Sequence, residues 1–390
     1  MIANQGIETL VKFLSPRNDG IKLATPAALA IRNMSNMPDG IKDPDRVADC
    51  LLMALQYQDM QVATYVAEIN ANLTGNQNLK VCFTRQNGIE RLIQSLNLFQ
   101  NKHEFTGPIL CCLRHLTGQQ QDKERVLSTF HSFDGLHRIM EWVCHRAPRS
   151  CLKPALGIVK NFAAVPNFHT ILRQMSFVEQ INKIFIWFCD ELEYKIATPD
   201  QSVDNVKLIE IIEQLVICMS AFSKSPENRA SIRDKLIVEN VKKVLTLPSK
   251  NIQRWALIIL SELTHEMEGA WEIATGVPNY HIIKQIYESN QHAADNSPEN
   301  KMGKKKFNFF GSKFVRSTFI SKFPFLARQA FEIFNTCEQT KSEVHRGAYQ
   351  TPPPTTKYQR TSKEDHFRNN QPQSGPQGPR QGPPPPQHVS

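Results

Sequence analysis

The stretch FTGPILCCLRHLTGQ, residues 105–119, reads as one buried helix with a polar exit at Arg114, His115 and Thr117. The same design recurs along the chain. Residues 27–35 read AALAIRNMS, residues 62–74 read VATYVAEINANLT, and residues 151–163 read CLKPALGIVKNFA. Each is an apolar run containing small residues. A basic or polar residue follows, then Asn or His, then an apolar residue and Ser, Thr or Ala. The Asn/His positions are Asn33, Asn72, His115 and Asn161, spaced 39, 43 and 46 residues apart in turn. Self-similarity near this period marks a helical solenoid, in which each unit buries its apolar face on its neighbours.

The units alternate short and long helices. Asn87-Gly88 and Asp134-Gly135 precede short apolar-periodic segments, where Gly is expected to make the tight turn. Longer helices follow, with Pro108 or Pro154 near their starts. Strand-like alternation is hard to find, so the expected fold is all-α. Ile7, Leu10, Val11 and Leu14 already fall at helical spacing, which makes the N-terminus a helix in progress. A start inside a repeat without a polar cap leads us to expect the C-terminal part of a longer array, or a short form of it. The expected array covers residues 1–340, about six to seven units with the first truncated. It carries a loop at 193–205 and a basic, aromatic insert at 290–320. Residues 341–390, rich in Pro, Gln and Gly, are expected to be disordered, because they hold too little apolar surface to offset ordering entropy.

Charged residues make up 21% and hydrophobic residues 41% of the chain, the balance of an ordinary water-facing protein. The net charge of +9 points to an acidic partner, although much of it lies after residue 300. Nine cysteines, an odd number without framework spacing, read as reduced core thiols of a cytosolic or nuclear protein. His137, Cys144, His145 and Cys151 fit no metal-ligand spacing, so no metal is expected, and Cys144 and Cys151 are expected to face the core. Nucleotide-binding and hydrolase signatures are missing, and Asp190, Glu191 and Glu193 read as a solvated helix end. We therefore expect no enzyme, no cofactor and no direct nucleic-acid contact.

At this point the residues resemble the armadillo-repeat region of the β-catenin family. Arg114-His115-Leu116-Thr117, Lys160-Asn161-Phe162-Ala163, residues 70–75 (NANLTG) and Asn251-Ile252-Gln253-Arg254 stand in the family's order. The loop at 193–205 sits where that family carries an insertion. The resemblance covers about residues 5–290, with a weaker closing helix near 321–336. It implies a right-handed superhelical solenoid whose third helices line one concave face. It also implies a junctional adaptor holding a cadherin cytoplasmic tail, in the cytoplasm and at adherens junctions. The alternative is a nuclear coactivator in Wnt signalling recruited by TCF-family factors, with APC- or axin-type scaffolds as further partners. The family's acidic activating tail is replaced here by a basic, Pro-rich one, which favours adhesion. An importin-α-type receptor is a third option. Its ladders pair Trp with Asn, whereas Trp142, Trp187, Trp255 and Trp271 do not pair with the ladder residues here.

The expected peptide groove consists of a ladder, Asn33, Asn72, His115 and Asn161, flanked by Arg32, Lys80, Arg114, Lys153 and Lys160. An Asn amide both donates and accepts, so it can hold an extended backbone without reading its sequence. The cations pair with acidic side chains. The competing reading is that the ladder residues satisfy their own helix ends. By resemblance, Lys80 matches a lysine that pairs with an Asp of the cadherin tail, and Lys153 and Lys160 match further groove cations.

The segment 301–328 holds eight basic residues, among them Lys301, Lys304, Lys305 and Lys306, seven Phe and no acidic residue. Basic residues interleaved with aromatics suit an anionic membrane surface or a calmodulin-like groove, and Lys304–Lys306 would also serve nuclear import. The plainer alternative packs Phe319–Phe325 on the last repeat and leaves the lysines solvated. A 301–328 peptide is expected to bind anionic liposomes above neutral ones; equal binding removes the lipid reading.

Overall fold

The computed structural model describes residues 2–14, 21–36, 41–99, 102–118, 123–194, 196–266, 270, 273 and 325–345, all within one unit, Met1–Lys357. The expected insert at 290–320, Lys301 and Lys304–Lys306 among it, and the tail beyond residue 345 lie outside the described residues.

The chain opens with α1 (Ile2–Leu10), continued by a 3₁₀ turn (Val11–Leu14), and then α2 (Ile21–Met34). Ile7, Val11 and Leu14 are buried, as their spacing predicts. The next unit is α3 (Pro44–Ala54) and α4 (Met60–Thr74). Three-helix units follow: α5 (Gln77–Arg85), α6 (Gly88–Ser95) and α7 (His103–Thr117), then α8 (Lys123–Ser132), α9 (Gly135–Trp142) and α10 (Arg149–Ala163). A 3₁₀ turn (Pro166–Phe168) leads to α11 (His169–Gln174), α12 (Phe177–Glu193) and α13 (Leu208–Phe222). Then come α14 (Pro226–Ile232), α15 (Lys235–Val244) and α16 (Lys250–Leu263), and the last described helix is α17 (Phe325–His345). The arrangement is an all-α armadillo solenoid.

Local chemistry starts these helices. Asp43, Asp59, Asn76, Asp234 and Ser249 each accept a hydrogen bond from a backbone N–H of the turn they cap. The turns before α6, α9 and α12 place Asn87, Asp134 and Ser176 in the left-handed region. At α6 and α9 the glycines that follow, expected to make the tight turn, do not themselves carry its positive φ. They are there for room: a Cβ on Gly88 would lie 2.6 Å from the Phe83 carbonyl oxygen, and one on Gly135 would lie 2.8 Å from Ile93 and Phe130.

The core lies between the long helices that close each unit. α2, α4, α7, α10, α13, α16 and α17 form one row, each packed on the next. Fully buried Ile31, Val66, Leu113, Ile158, Val216 and Leu260 belong to this seam, each stabilising by roughly 1.5–3 kcal/mol relative to exposure. Phe130, Phe162 and Phe168 meet edge-on, with centroids 5.0 and 5.8 Å apart, and tie α8 to α10 and its exit turn. Pro26, Pro108 and Pro154 occupy the sixth residue of α2, α7 and α10, each seven residues before its Asn or His.

The expected loop at 193–205 contains structure the sequence reading did not find. Strand β1 (Ser202–Val203) pairs antiparallel with β2 (Val206–Lys207). Asp204 and Asn205 both have positive φ, which is the demand of a two-residue primed hairpin turn. Arg149, 8% exposed at the start of α10, holds this hairpin. Its Nη1 donates to the carbonyls of Gln201 (2.7 Å) and Val206 (3.4 Å), and its backbone N–H donates to Asp204 Oδ2 (3.1 Å). Replacing Arg149 by Met removes both side-chain hydrogen bonds to the hairpin, leaving Gln201 O with only the Leu208 N–H at 3.0 Å, so R149M is expected to lower unfolding free energy by about 2 kcal/mol in urea titration. An unchanged midpoint would show that the hairpin is held by something else.

Candidate functional site

The residues the sequence singles out fall, with one exception, on the row of closing helices. Arg32 and Asn33 end α2, Asn72 ends α4, Arg114 and His115 end α7, and Lys153, Lys160 and Asn161 belong to α10. Lys80 is the exception, on α5, and its charge nevertheless acts on His115.

Three of the four ladder side chains bond across to the preceding repeat. Asn72 Nδ2 donates to Ser35 Oγ at 2.8 Å, His115 Nδ1 lies 3.1 Å from Thr74 Oγ1, and Asn161 Nδ2 donates to Thr117 Oγ1 at 2.9 Å and to the Arg114 carbonyl at 2.9 Å. In every case the hydroxyl belongs to the residue two positions after the previous ladder residue. That hydroxyl first satisfies its own helix end. Ser35 donates to the Arg32 carbonyl, Thr74 to Asn70 and Ala71, and Thr117 to Leu113 and Arg114. Its lone pairs then receive the next repeat. The helix-end reading and the ladder reading are therefore joined, with the hydroxyl capping its own helix and the amide crossing to it. Asn33 is exposed, and its side chain makes no hydrogen bond to another described residue.

The series has a defined end. Ala163 has no hydroxyl to offer, and the position that would cross to it in α13 is Ala221. Equivalent thiol bonds fix this register: Cys112 Sγ donates to the Ala67 carbonyl and Cys218 Sγ to the Leu156 carbonyl. Each cysteine stands three residues before its ladder position. In α16 the ladder position is Glu262, which pairs with Arg229 at 3.5 Å.

His115 is held in one tautomer. Thr74 donates its own proton to the helix, so Nδ1–H of His115 donates to Thr74. Nε2 then accepts from Arg114 Nη2 at 2.9 Å. Burial, with the charges of Arg114 and Lys80, brings the imidazole down from 6.5 to about 4. The Arg114 stem lies across Gly157 of α10, where a Cβ would meet its Cδ at 2.5 Å. Nothing among the described residues donates to Oδ1 of Asn72 or Asn161, and neither oxygen is among the buried unpaired atoms. What this face offers is thus a line of acceptors beside cations.

The cations divide into two sets. Arg32 is paired with Glu68 of α4, Nε to Oε2 at 2.5 Å, and lies 5.5 Å over the Tyr65 ring. Lys153 is paired with Glu210 of α13 at 2.6 Å, and Glu210 also accepts the Lys207 N–H at 2.9 Å. The Lys153 hydrogen bond is the largest cause of the lowered Glu210 pKa. By contrast Lys80, Arg114 and Lys160 have no carboxylate partner among the described residues. The sequence reading missed Glu68 and Glu210, which lie 36 and 57 residues from the cations they meet. It did mark the Ser, Thr and Ala that follow the ladder, and that was the available signal for Ser35, Thr74 and Thr117.

The residues weighed for metal come apart. His137 pairs with Asp134, His145 stacks on Trp187 with centroids 4.2 Å apart, and Cys151 is buried against the His103 carbonyl. Cys144 is half-exposed, donating to the Glu141 carbonyl at 3.7 Å, so it is not the core thiol expected of it. It sits in the turn after α9. Cys50 and Cys111 are likewise half-exposed, and the other six cysteines are buried. No group of three or more metal-ligating side chains occurs among the described residues.

No protein-family model matches the chain. It is 27% identical over 269 residues to Catenin beta of Urechis caupo, covering 68% of this chain and 33% of that protein. It is 24% identical over 292 residues to Junction plakoglobin of Xenopus laevis, covering 74% of this chain and 39% of that one. The chain therefore spans about a third of the length of the curated relatives it matches. One solved structure, from work on a conserved phosphorylation switch controlling the interaction between cadherin and beta-catenin, superposes with a TM-score of 0.68 at 18% identity. It covers 86% of this chain and 60% of that one. A designed armadillo repeat protein, YIII(Dq)4CqI, gives 0.51 at 12% identity, covering 66% of this chain and 99% of the design. The chain has the armadillo-repeat fold and resembles β-catenin and plakoglobin in sequence.

His115 gives the row a pH dependence. Its folded pKa lies below its unfolded value, so its contribution to stability is complete above pH 6.5 and is lost as pH falls toward about 4. H115N is expected to flatten the decline of melting temperature between pH 6.5 and 5. A decline as steep as that of the parent would place the titration elsewhere.

Proposed function

We propose that this chain is a β-catenin-like adaptor, a binding module and not an enzyme. It would hold an acidic, extended peptide along α4, α7 and α10. The observation that carries the reading is the coincidence of three cations without carboxylate partners among the described residues, Lys80, Arg114 and Lys160, with the bonded rungs Asn72, His115 and Asn161. An extended backbone can donate its N–H groups to the outward oxygens of the two Asn rungs, which read no sequence. Acidic side chains flanking that backbone meet the cations in charge-assisted contacts. An exposed ion pair is worth only about 0–1 kcal/mol. Affinity therefore has to accumulate along the groove and concentrate where a lysine becomes desolvated on binding.

The peptide class we assign is the cadherin cytoplasmic tail, which makes the chain a component of cell–cell junctions on their cytoplasmic side. The sequence similarity to Catenin beta and plakoglobin supports this assignment. So does the structural likeness to a β-catenin studied for its interaction with cadherin. Lys80 is the most telling test, because it is half-exposed on α5 and its nearest partner is only Gln77 Oε1 at 3.4 Å. Lys80→Glu is expected to weaken an acidic cadherin-tail peptide by about tenfold or more in calorimetry, as charge reversal at a desolvated contact does. Its melting temperature is expected to stay unchanged. Binding equal to the parent would remove Lys80 from the site, and binding of the peptide by neither protein would remove the function.

A further inference from the structure

The paired cations bound the basic face on both sides. Arg32 is held by Glu68 at the α2 side and Lys153 by Glu210 at the α13 side. Past α10 carboxylates stand at the equivalent positions. Glu213 stands eight residues before Ala221, the spacing Lys153 has to Asn161, and Glu262 occupies the ladder position of α16. Both carboxylates come from the neighbouring repeat, so each neutralises its cation only once the two repeats are stacked. Glu210 is held from two sides, by Lys153 and by the backbone N–H of Lys207 at the end of the hairpin that Arg149 pins.

We propose that Glu68 and Glu210 set the ends of the acidic-peptide site by occupying Arg32 and Lys153, so that the groove selects a compact cluster of carboxylates over Lys80, Arg114 and Lys160 and discriminates against a long acidic run. The proposal rests on the reading of the groove as an acidic-peptide site and adds the residues that determine its length. A long acidic peptide brings its outer carboxylates against Glu68, Glu210 and Glu213. Those outer groups find no free cation and meet like charge. A compact cluster meets the three free cations and avoids the carboxylates.

The test uses the full chain, E68Q, E210Q and the double variant. Two labelled peptides of equal length serve as probes, one with three carboxylates clustered at its centre and one acidic throughout, with affinities read by fluorescence anisotropy. Gln keeps an acceptor for the Lys207 N–H, and circular dichroism checks that each variant is folded. The parent is expected to bind the clustered peptide more tightly than the uniformly acidic one, and equal binding of the two by the parent overturns the proposal. The double variant is expected to bind the uniformly acidic peptide about three- to tenfold more tightly while the clustered peptide stays within about twofold, the scale of freed surface charges. The gain is expected to vanish near 1 M salt, where the Debye length is about 3 Å. Equal affinities of parent and double variant for the acidic peptide, or equal gains for both peptides, overturn the proposal. Failure of the parent to bind either peptide overturns the reading of the groove itself.

Discussion

The rest of the site depends on one kind of contact, the side chain that leaves one closing helix and reaches a hydroxyl at the end of the helix before it. Asn72 to Ser35, His115 to Thr74 and Asn161 to Thr117 repeat this contact across three repeat boundaries. It spans 37 to 44 residues of sequence, so it forms only when the repeats are stacked. In a solenoid, stability is a sum of repeat and neighbour terms. Here the neighbour term fixes the rotation of the residues that face outward. An amide whose donor is committed inward has its carbonyl oxygen left outward. A guanidinium that donates to a neutral imidazole has its stem laid over Gly157.

The electrostatic pattern follows from the same stacking. A cation without a partner on the face keeps its attraction for a ligand, and one already paired with a carboxylate of the next repeat offers little. The array assigns Lys80, Arg114 and Lys160 to the first group, and Arg32 and Lys153 to the second. His115 belongs with the free cations in position but not in charge. Burial, with the charges of Arg114 and Lys80, keeps it neutral, so it links the rungs without adding to the positive field. The series stops where its parts stop. Ala163 and Ala221 lack both halves of the contact, and beyond them the ladder position carries Glu262.

How much of this is legible in the sequence depends on the range of the interaction. The ladder signature is a local pattern, and residues 105–119 contain all of its parts; the repeat period and the alternation of short and long helices follow from its recurrence along the chain. Arg149 reads locally as one more helix-start residue. Only the fold shows that it closes on a hairpin more than 50 residues away. Glu68 and Glu210 read as ordinary surface acids on amphipathic helices, because nothing in the local pattern says which cation the stacking will bring to them. Gly88 and Gly135 are conspicuous in the sequence. What the local pattern does not show is that the left-handed backbone of the turn falls one residue earlier and that the crowding that excludes a Cβ comes from Phe83, Ile93 and Phe130.

The most direct measurement is a crystal structure of the full chain with an acidic peptide bound. The account predicts an extended backbone along α4, α7 and α10. Its N–H groups should meet Oδ1 of Asn72 and Asn161, and its carboxylates should meet Lys80, Arg114 and Lys160. The three rung contacts should be unchanged from the free protein. A peptide seated on the α6, α9 and α12 side, or one that breaks the contacts to Ser35, Thr74 and Thr117 in order to bind, would contradict it.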